Sequence, residues 1–134
     1  MSPLLALLGF TAWTLLLVTA VFLYRGVRFI GGTPINHWPR RDKPFDDAPI
    51  IKRIEDAHAN CLENLVLFAA IVLAASAMGR ISEIQPFAVY VLLARVGQTL
   101  THLSGVGRLH VFIRASFWAI QVTLFFVMLG RLLT

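Results

Sequence analysis

Residues 53–79 read RIEDAHANCLENLVLFAAIVLAASAMG, in which polar side chains run directly into an uncharged apolar segment. The polar positions recur at spacings of three and four, which places them on one face of a helix. An ionisable group inside a bilayer is costly unless it is paired or hydrated, so such a stripe in a membrane helix indicates a polar pocket. The stripe consists of Arg53, Asp56, Asn60, Glu63 and Asn64.

The composition predicts a membrane protein. Hydrophobic residues make up 57% of the 134 residues and charged residues only 14%, and the mean hydropathy is +0.74. Soluble domains rarely have this composition. Residues 1–24 carry no charged side chain, and from Pro3 onward they are long enough to cross roughly 30 Å of hydrocarbon. A cleaved signal peptide is the alternative, but the segment lacks a basic start and its apolar stretch is too long for a signal core.

Four apolar segments predict an all-α fold, an integral membrane four-helix bundle that forms a single domain over residues 1–134. The first loop holds four of the six prolines and a mixed run of charges, so it does not form a helix. The other two links are short, which makes neighbouring helices antiparallel. The predicted helices cover about 3–25, 50–79, 84–104 and 108–132, and the first loop covers about 26–49.

The basic residues predict the orientation in the membrane. They concentrate in and beside the first loop, and Arg108 lies in the third, whereas the second loop has Arg80 and the C-terminus has Arg131. By the positive-inside rule the first and third loops are cytoplasmic and both termini lie on the opposite side, and we expect a bacterial inner membrane. The basic rim accounts for the net charge of +5 without a nucleic-acid partner. Its residues are Arg25, Arg28, Arg40, Arg41, Lys43, Lys52 and Arg53.

Charged side chains at similar depth predict a cavity. Helix rise places Glu63 and Arg95 each roughly 13–15 Å inside the cytoplasmic interface, and Arg114 roughly 5–8 Å inside. Arg95 follows an apolar run, so it cannot easily reach water and needs an acceptor in protein, solvent or ligand. Together these residues predict a positively charged cavity that is open to the cytoplasm.

Each of these residues also has a structural interpretation. Asn60, Glu63 and Arg95 suit a buried polar network between helices. The four histidines lack the spacing of a metal or haem site, so no metal is predicted. The single cysteine, Cys61, excludes an internal disulfide. Interfacial anchoring or a position at the rim is the alternative for Arg25, Arg28, Arg53 and Arg108.

Several motifs follow one another in a recognisable order. Helix two carries Arg53-Ile-Glu-Asp-Ala-His-Ala-Asn60-Cys-Leu-Glu63-Asn64 before its apolar run, helix three carries Leu93-Ala-Arg95, and helix four is reached through Gly107-Arg-Leu and contains Arg114. With the charge-free first helix and the proline-rich loop, this order resembles the MAPEG family, the membrane-associated proteins of eicosanoid and glutathione metabolism. The resemblance covers nearly the whole chain, and the helix-two motif is its most specific part.

The resemblance implies a homotrimer that binds glutathione as co-substrate between neighbouring subunits, near the cytoplasmic face. Asn60 and Glu63 would hold the peptide and its amine, and Arg114 would face the thiol and favour the thiolate. A lipophilic small molecule would enter from the membrane lipid, as an electrophile for conjugation or as a lipid hydroperoxide for reduction. The implied function is that of a glutathione S-transferase or peroxidase. The ligand's carboxylates would be bound by Arg53, Arg95 and Arg28.

Four positions depart from the family pattern, and two other functions stay open. Asp56 stands where an arginine is usual, Gln98 and His102 stand where tyrosines are common, and Trp118 stands where the aromatic residue is often tyrosine. A noncatalytic membrane scaffold or lipid-binding protein of the same fold is one alternative, with Asp56 as its discriminating feature. A small multidrug-type transporter is the other, but such proteins usually carry a carboxylate in helix one, and here that helix has none.

Overall fold

The structure is a computed structural model that describes residues 1–38 and 46–134. Arg40, Arg41 and Lys43, which the sequence assigns to the cytoplasmic rim, lie outside the described residues. The described part contains four helices, one 3₁₀ turn and no strand, so the predicted all-α class is confirmed. The elements are α1 (Pro3–Ile30), the 3₁₀ turn (Ile35–His37), α2 (Pro49–Ala77), α3 (Ile81–Ser104) and α4 (Arg108–Leu133).

α1 is longer than the sequence predicts. It begins after Ser2, whose hydroxyl oxygen accepts a hydrogen bond from the Leu5 amide at 3.2 Å. It continues past residue 25 to Ile30 and stops at Gly31, which is followed by Gly32 at a φ of 102°. The sequence predicts an end at the first charges, but Arg25 and Arg28 pair with acidic residues outside α1 and do not interrupt the helix.

The helices pack as antiparallel neighbours around a core of aromatic rings. Arg25 pairs with Glu55 at one end of α1 and α2, and Phe10 meets Phe68 toward the other, with ring centroids 6.0 Å apart. Phe68 also stacks on Phe125 of α4 at 6.1 Å. α2 and α3 each pack against all three other helices. Contacts of this kind hold α2, which carries the polar stripe, in the middle of the bundle.

The outer surface of the bundle suits lipid. Large apolar side chains point outward, among them Phe22, Val66 and Phe126, which are 72%, 68% and 71% exposed. α1, α2 and α4 are long and apolar enough to cross a membrane. α3 is less apolar because it carries Arg95, Gln98 and other polar side chains, although its 24 residues are long enough to span at about 1.5 Å per residue. The chain is therefore a membrane protein.

The link between α2 and α3 depends on a left-handed residue. Gly79 has a φ of 68°, and the next amide, that of Arg80, donates to the Ala75 carbonyl oxygen at 2.9 Å. The Arg80 guanidinium then donates to the carbonyl oxygens of Leu132 at 2.8 Å and Arg131 at 3.0 Å. The turn thus joins α2 and α3 and also satisfies carbonyl groups at the end of α4.

We expect Gly79→Ala to destabilise the protein by about 1–2 kcal/mol, because an added Cβ disfavours the left-handed backbone. The free energy of unfolding in detergent measures this effect. Gly26→Ala is the matched control, since Gly26 lies inside α1 and nothing lies within 4 Å of a Cβ built there. Equal stability of both variants with the wild type would contradict the prediction.

Candidate functional site

A polar pocket of about 370 Å³ opens where α2, α3 and α4 meet. One turn separates Gln98 from His102 on α3 and Arg114 from Trp118 on α4, so each pair lies on one helical face. Asn60, which belongs to the α2 stripe, lines the same pocket. We call this cavity the polar pocket; its lining residues are Asn60, Gln98, His102, Val111, Arg114, Ala115 and Trp118.

Arg95 lies behind the wall of the polar pocket. Its side chain is completely buried, its guanidinium lies 5.3 Å from the centre of the Phe10 ring, and Nη1 donates a hydrogen bond to Oδ1 of Asn60. Nε and Nη2 have no hydrogen-bond partner among the described residues. Because Oδ1 of Asn60 accepts from Arg95, the amide nitrogen of Asn60 is the group left to donate toward the pocket.

Arg114 supplies a cation in the wall of the polar pocket. Its side chain is half-buried, and its Nε has no hydrogen-bond partner within the described part of the chain. Burial lowers the effective dielectric constant around a charge and strengthens its interaction with an anion. The pocket therefore combines the Arg114 guanidinium with amide donors, a set that suits an anionic or oxygen-bearing ligand.

Three other predicted site residues do not line the polar pocket of the single subunit. Arg53 is half-buried on α2 outside the lining. Glu63 is exposed on the surface of α2, whereas Arg95 is buried and donates to Asn60. Arg28 is held at the first loop. The structure thus brings together Asn60 and Arg114, with Arg95 directly behind Asn60.

Arg28 is engaged by acidic residues of its own first loop. Nη1 lies 2.7 Å from Oδ1 of Asp47, and Nη2 pairs with Asp46. Trp38 Nε1 donates to Asp47 Oδ1 at 3.1 Å, and His37 Nε2 lies 2.7 Å from Oδ1 of Asp46. His37 and the two aspartates offer ligand atoms within 4.8 Å of one another, but the Arg28 guanidinium already pairs with both carboxylates. We call these five residues the loop cluster.

The loop cluster predicts a stability change in acid. The hydrogen bond from Arg28, and secondly the one with His37, lowers the pKa of Asp46 from 3.8 to about 2. A lowered folded-state pKa gives stability that is present above the unfolded pKa and lost as the pH falls through the folded one. We expect the unfolding temperature of the wild type to fall more steeply than that of Asp46→Asn below about pH 4, with parallel profiles above about pH 5. Profiles that stay parallel throughout would contradict this assignment.

An apolar groove of about 510 Å³ runs between α2 and α4 and adjoins the polar pocket at Trp118, which lines both. A smaller cavity of about 230 Å³ continues it past Leu129 toward the end of α4. The groove therefore offers an apolar surface next to the polar pocket. The groove is lined by Leu67, Ala70, Ile71, Trp118, Val122, Phe125, Phe126 and Leu129.

Gln121 is a polar residue of the site region that sequence reasoning missed. It is completely buried, and its Nε2 donates to Oε1 of Gln98 at 2.9 Å. The signal was present, because a single amide stands in the apolar part of helix four, seven residues after Arg114 and hence on the same face. Its partner is on another helix, so the sequence alone did not show what it contacts.

The fold and the site together define a class: an integral membrane four-helix bundle with a polar pocket that adjoins a lipid-facing groove. The chain belongs to the MAPEG family, whose family model matches residues 3–134. This membership confirms the family predicted from the helix-two motif and supports a membrane role in glutathione or eicosanoid metabolism. Neither the comparison with curated proteins nor the comparison with solved structures found a match.

Proposed function

We propose that the protein is a membrane-bound glutathione transferase with peroxidase-like capacity, which activates the glutathione thiol for attack on a lipophilic molecule. One observation carries the proposal. The polar pocket, with Arg114 in its wall, adjoins the apolar groove at Trp118. A water-soluble thiol and a lipid-soluble electrophile can therefore meet at one point.

Arg114 is the catalytic residue of this proposal. A thiol is a weak nucleophile and its thiolate a strong one, so a neighbouring cation that favours the thiolate accelerates attack. A guanidinium is a fixed cation, and we assign the bound thiol to a position beside that of Arg114, which lies in the pocket wall. The same thiolate begins both conjugation to an electrophile and reduction of a lipid hydroperoxide.

The pocket's polar groups suit the rest of glutathione, which has two carboxylates, two peptide groups and one ammonium group. Asn60 offers an amide donor, and we assign the carboxylates to Arg53 and Arg95. Arg28 is the third carboxylate-binding residue of the proposal, and the ligand must displace Asp46 and Asp47 from its guanidinium to reach it. Glu63 is the partner for the ammonium group, since its carboxylate is exposed on α2.

We assign the active form to a homotrimer with glutathione between subunits. Glu63 lies on the outer surface of a helix that is apolar enough to span a membrane, and a carboxylate facing lipid is costly. A neighbouring copy that covers this face removes that cost and adds a second wall to the site. In this assignment the first and third loops, and the mouth of the site, face the cytoplasm of a bacterial cell.

Glutathione binding to the purified protein in detergent, measured by calorimetry, tests the proposal. We expect saturable binding that Glu63→Gln weakens about tenfold or more, since a lost hydrogen bond between charged groups has about this effect. Glu83→Gln is the matched control, because Glu83 pairs with Arg80 at the α2–α3 link, far along α3 from Gln98. Absence of binding at millimolar glutathione would overturn the proposal.

A noncatalytic scaffold or lipid-binding protein of the same fold is the second candidate. The observation in its favour is that Arg28 already pairs with two carboxylates of its own chain, those of Asp46 and Asp47. Asp56 also adds negative charge to the exposed face of α2. A chain that binds lipid in the groove, forms a stable oligomer and has no affinity for glutathione would support this candidate.

A further inference from the structure

The hydrogen bonds of Gln121 fix the orientation of a second amide, that of Gln98. Nε2 of Gln121 donates to Oε1 of Gln98 at 2.9 Å and to the Phe117 carbonyl oxygen at 3.3 Å. A carbonyl oxygen accepts only, so the Gln121 atom beside it must be the amide nitrogen. The Gln98 atom facing the same nitrogen must then be its oxygen. Gln98 is left with its N–H donors for the polar pocket that it lines.

The Gln98–Gln121 pair lies in a close contact between α3 and α4. A Cβ built on Gly97 would lie 2.7 Å from Cζ of Phe117, so glycine lets the Phe117 ring lie directly against the α3 backbone. Gln98 is the residue after Gly97, and Gln121 lies one helical turn after Phe117. Their side chains are 6% and 0% exposed. Oε1 of Gln121 is buried without a partner among the described residues, but turning this amide over would place that oxygen against the Phe117 carbonyl oxygen and cost the hydrogen bond.

The Gln98 amide lines the polar pocket close to the side chain that both cavities share. Gln98 lines the polar pocket together with Arg114 and Trp118, and Trp118 also lines the apolar groove. A lipid whose chain occupies the groove therefore brings its functional group toward the Gln98 donors and the Arg114 cation. An oxygen acceptor on that group receives hydrogen bonds there, whereas a group without an acceptor leaves the buried donors unpaired.

We propose that Gln121 is a positioning residue that aims the N–H donors of Gln98 into the polar pocket, and that the site thereby favours lipophilic α,β-unsaturated carbonyl compounds over electrophiles that lack an oxygen acceptor. The catalytic part of this inference rests on the proposed glutathione chemistry. The recognition of the carbonyl group does not depend on that chemistry.

The reaction is an addition in which no group leaves. The thiolate sulfur forms a bond to the β-carbon, the electron pair of the C=C bond moves to the α-carbon and carbonyl, and an enolate results. The enolate oxygen carries the developing negative charge, and donors aimed at that oxygen stabilise the transition state. The α-carbon then takes a proton from water, which restores the carbonyl group. The hydroxide ion that this water leaves behind is neutralised by the proton that glutathione lost on ionisation.

The first test compares two electrophiles, trans-4-phenyl-3-buten-2-one and benzyl chloride, with glutathione and the full chain in detergent. Benzyl chloride has no oxygen acceptor. We expect Gln121→Met to lower the ratio of kcat/KM for the enone to that for benzyl chloride at least about tenfold. Gln98→Met, which removes the donors, should lower the ratio in the same way. The control Thr123→Val changes an exposed polar residue of α4 and should leave the ratio unchanged.

The second test needs no glutathione. Binding of 2-dodecanone and of dodecane is measured by tryptophan fluorescence, with Trp118→Phe to assign the signal. We expect the ketone to bind the wild type several-fold more tightly than the alkane, and the preference to disappear in Gln121→Met and Gln98→Met. A wild type without the preference, or a Gln121→Met protein that retains it, overturns the inference. A preference without any glutathione turnover overturns the proposed function and leaves the carbonyl recognition standing.

Discussion

We expect Arg114→Ala to lower kcat/KM for glutathione-dependent turnover by at least about a hundredfold, with the oligomer intact. The cation acts on the charge of the thiolate and of the transition state, and loss of one such electrostatic partner has an effect of this order. Arg114 is half-buried, and its Nε has no partner among the residues described, so its removal breaks no ion pair that the structure shows. Steady-state kinetics and size-exclusion chromatography measure the two effects.

The pH dependence separates this role from a general loss of structure. Without the cation, the bound thiol returns toward its ordinary pKa of about 8.5, so the activity deficit of Arg114→Ala should shrink as the pH rises past that value. Arg108→Ala is the matched control, because Arg108 is an exposed arginine at the start of the same helix. Turnover in Arg114→Ala equal to that of the wild type would remove the catalytic assignment.

The second large effect concerns stability. We expect Asn60→Ala to destabilise the subunit by about 2–3 kcal/mol, because it removes the acceptor for a completely buried guanidinium and leaves a charged donor unpaired. Arg95 is 0% exposed, and two of its three nitrogens already lack a partner among the described residues. The free energy of unfolding in detergent measures the loss.

A double-mutant cycle shows whether the loss of stability comes from the unpaired charge of Arg95. Asn60→Ala combined with Arg95→Met should recover part of the stability, because the charge is then replaced by an apolar side chain of similar length. Asn36→Ala, which changes an exposed asparagine in the 3₁₀ turn, should have little effect. Additive losses in the double variant would show that Asn60 and Arg95 do not depend on one another.

Much of the site was predictable from the sequence because helical spacing groups residues on one face. The α2 stripe, Arg95 on α3 and Arg114 on α4 were all recognisable as polar positions in apolar helices. The two tyrosine replacements, Gln98 and His102, also proved to line the polar pocket. Periodicity gives the angular position of a side chain about its own helix axis, and this was enough to choose the candidates.

Periodicity does not give the rotation of one helix toward another, and the remaining features depended on that rotation. Glu63 and Arg95 were predicted at equal depth, but Arg95 turns inward to Asn60 and Glu63 faces outward. Arg28 was predicted to bind a ligand carboxylate, and in this subunit it binds Asp46 and Asp47, which are distant in sequence but lie beside the end of α1. The role in ligand binding stays a prediction for the assembled protein.

The sequence by itself determined the all-helical membrane fold, the polar stripe in helix two and the family, because composition and helical period are local properties of the chain. Only the tertiary structure decided which polar groups share a pocket, and that an apolar groove adjoins it at Trp118. The physical reason is that these properties belong to pairs of helices. The hydrogen bond from Gln121 to Gln98 joins α4 to α3, where Gly97 leaves room for the Phe117 ring.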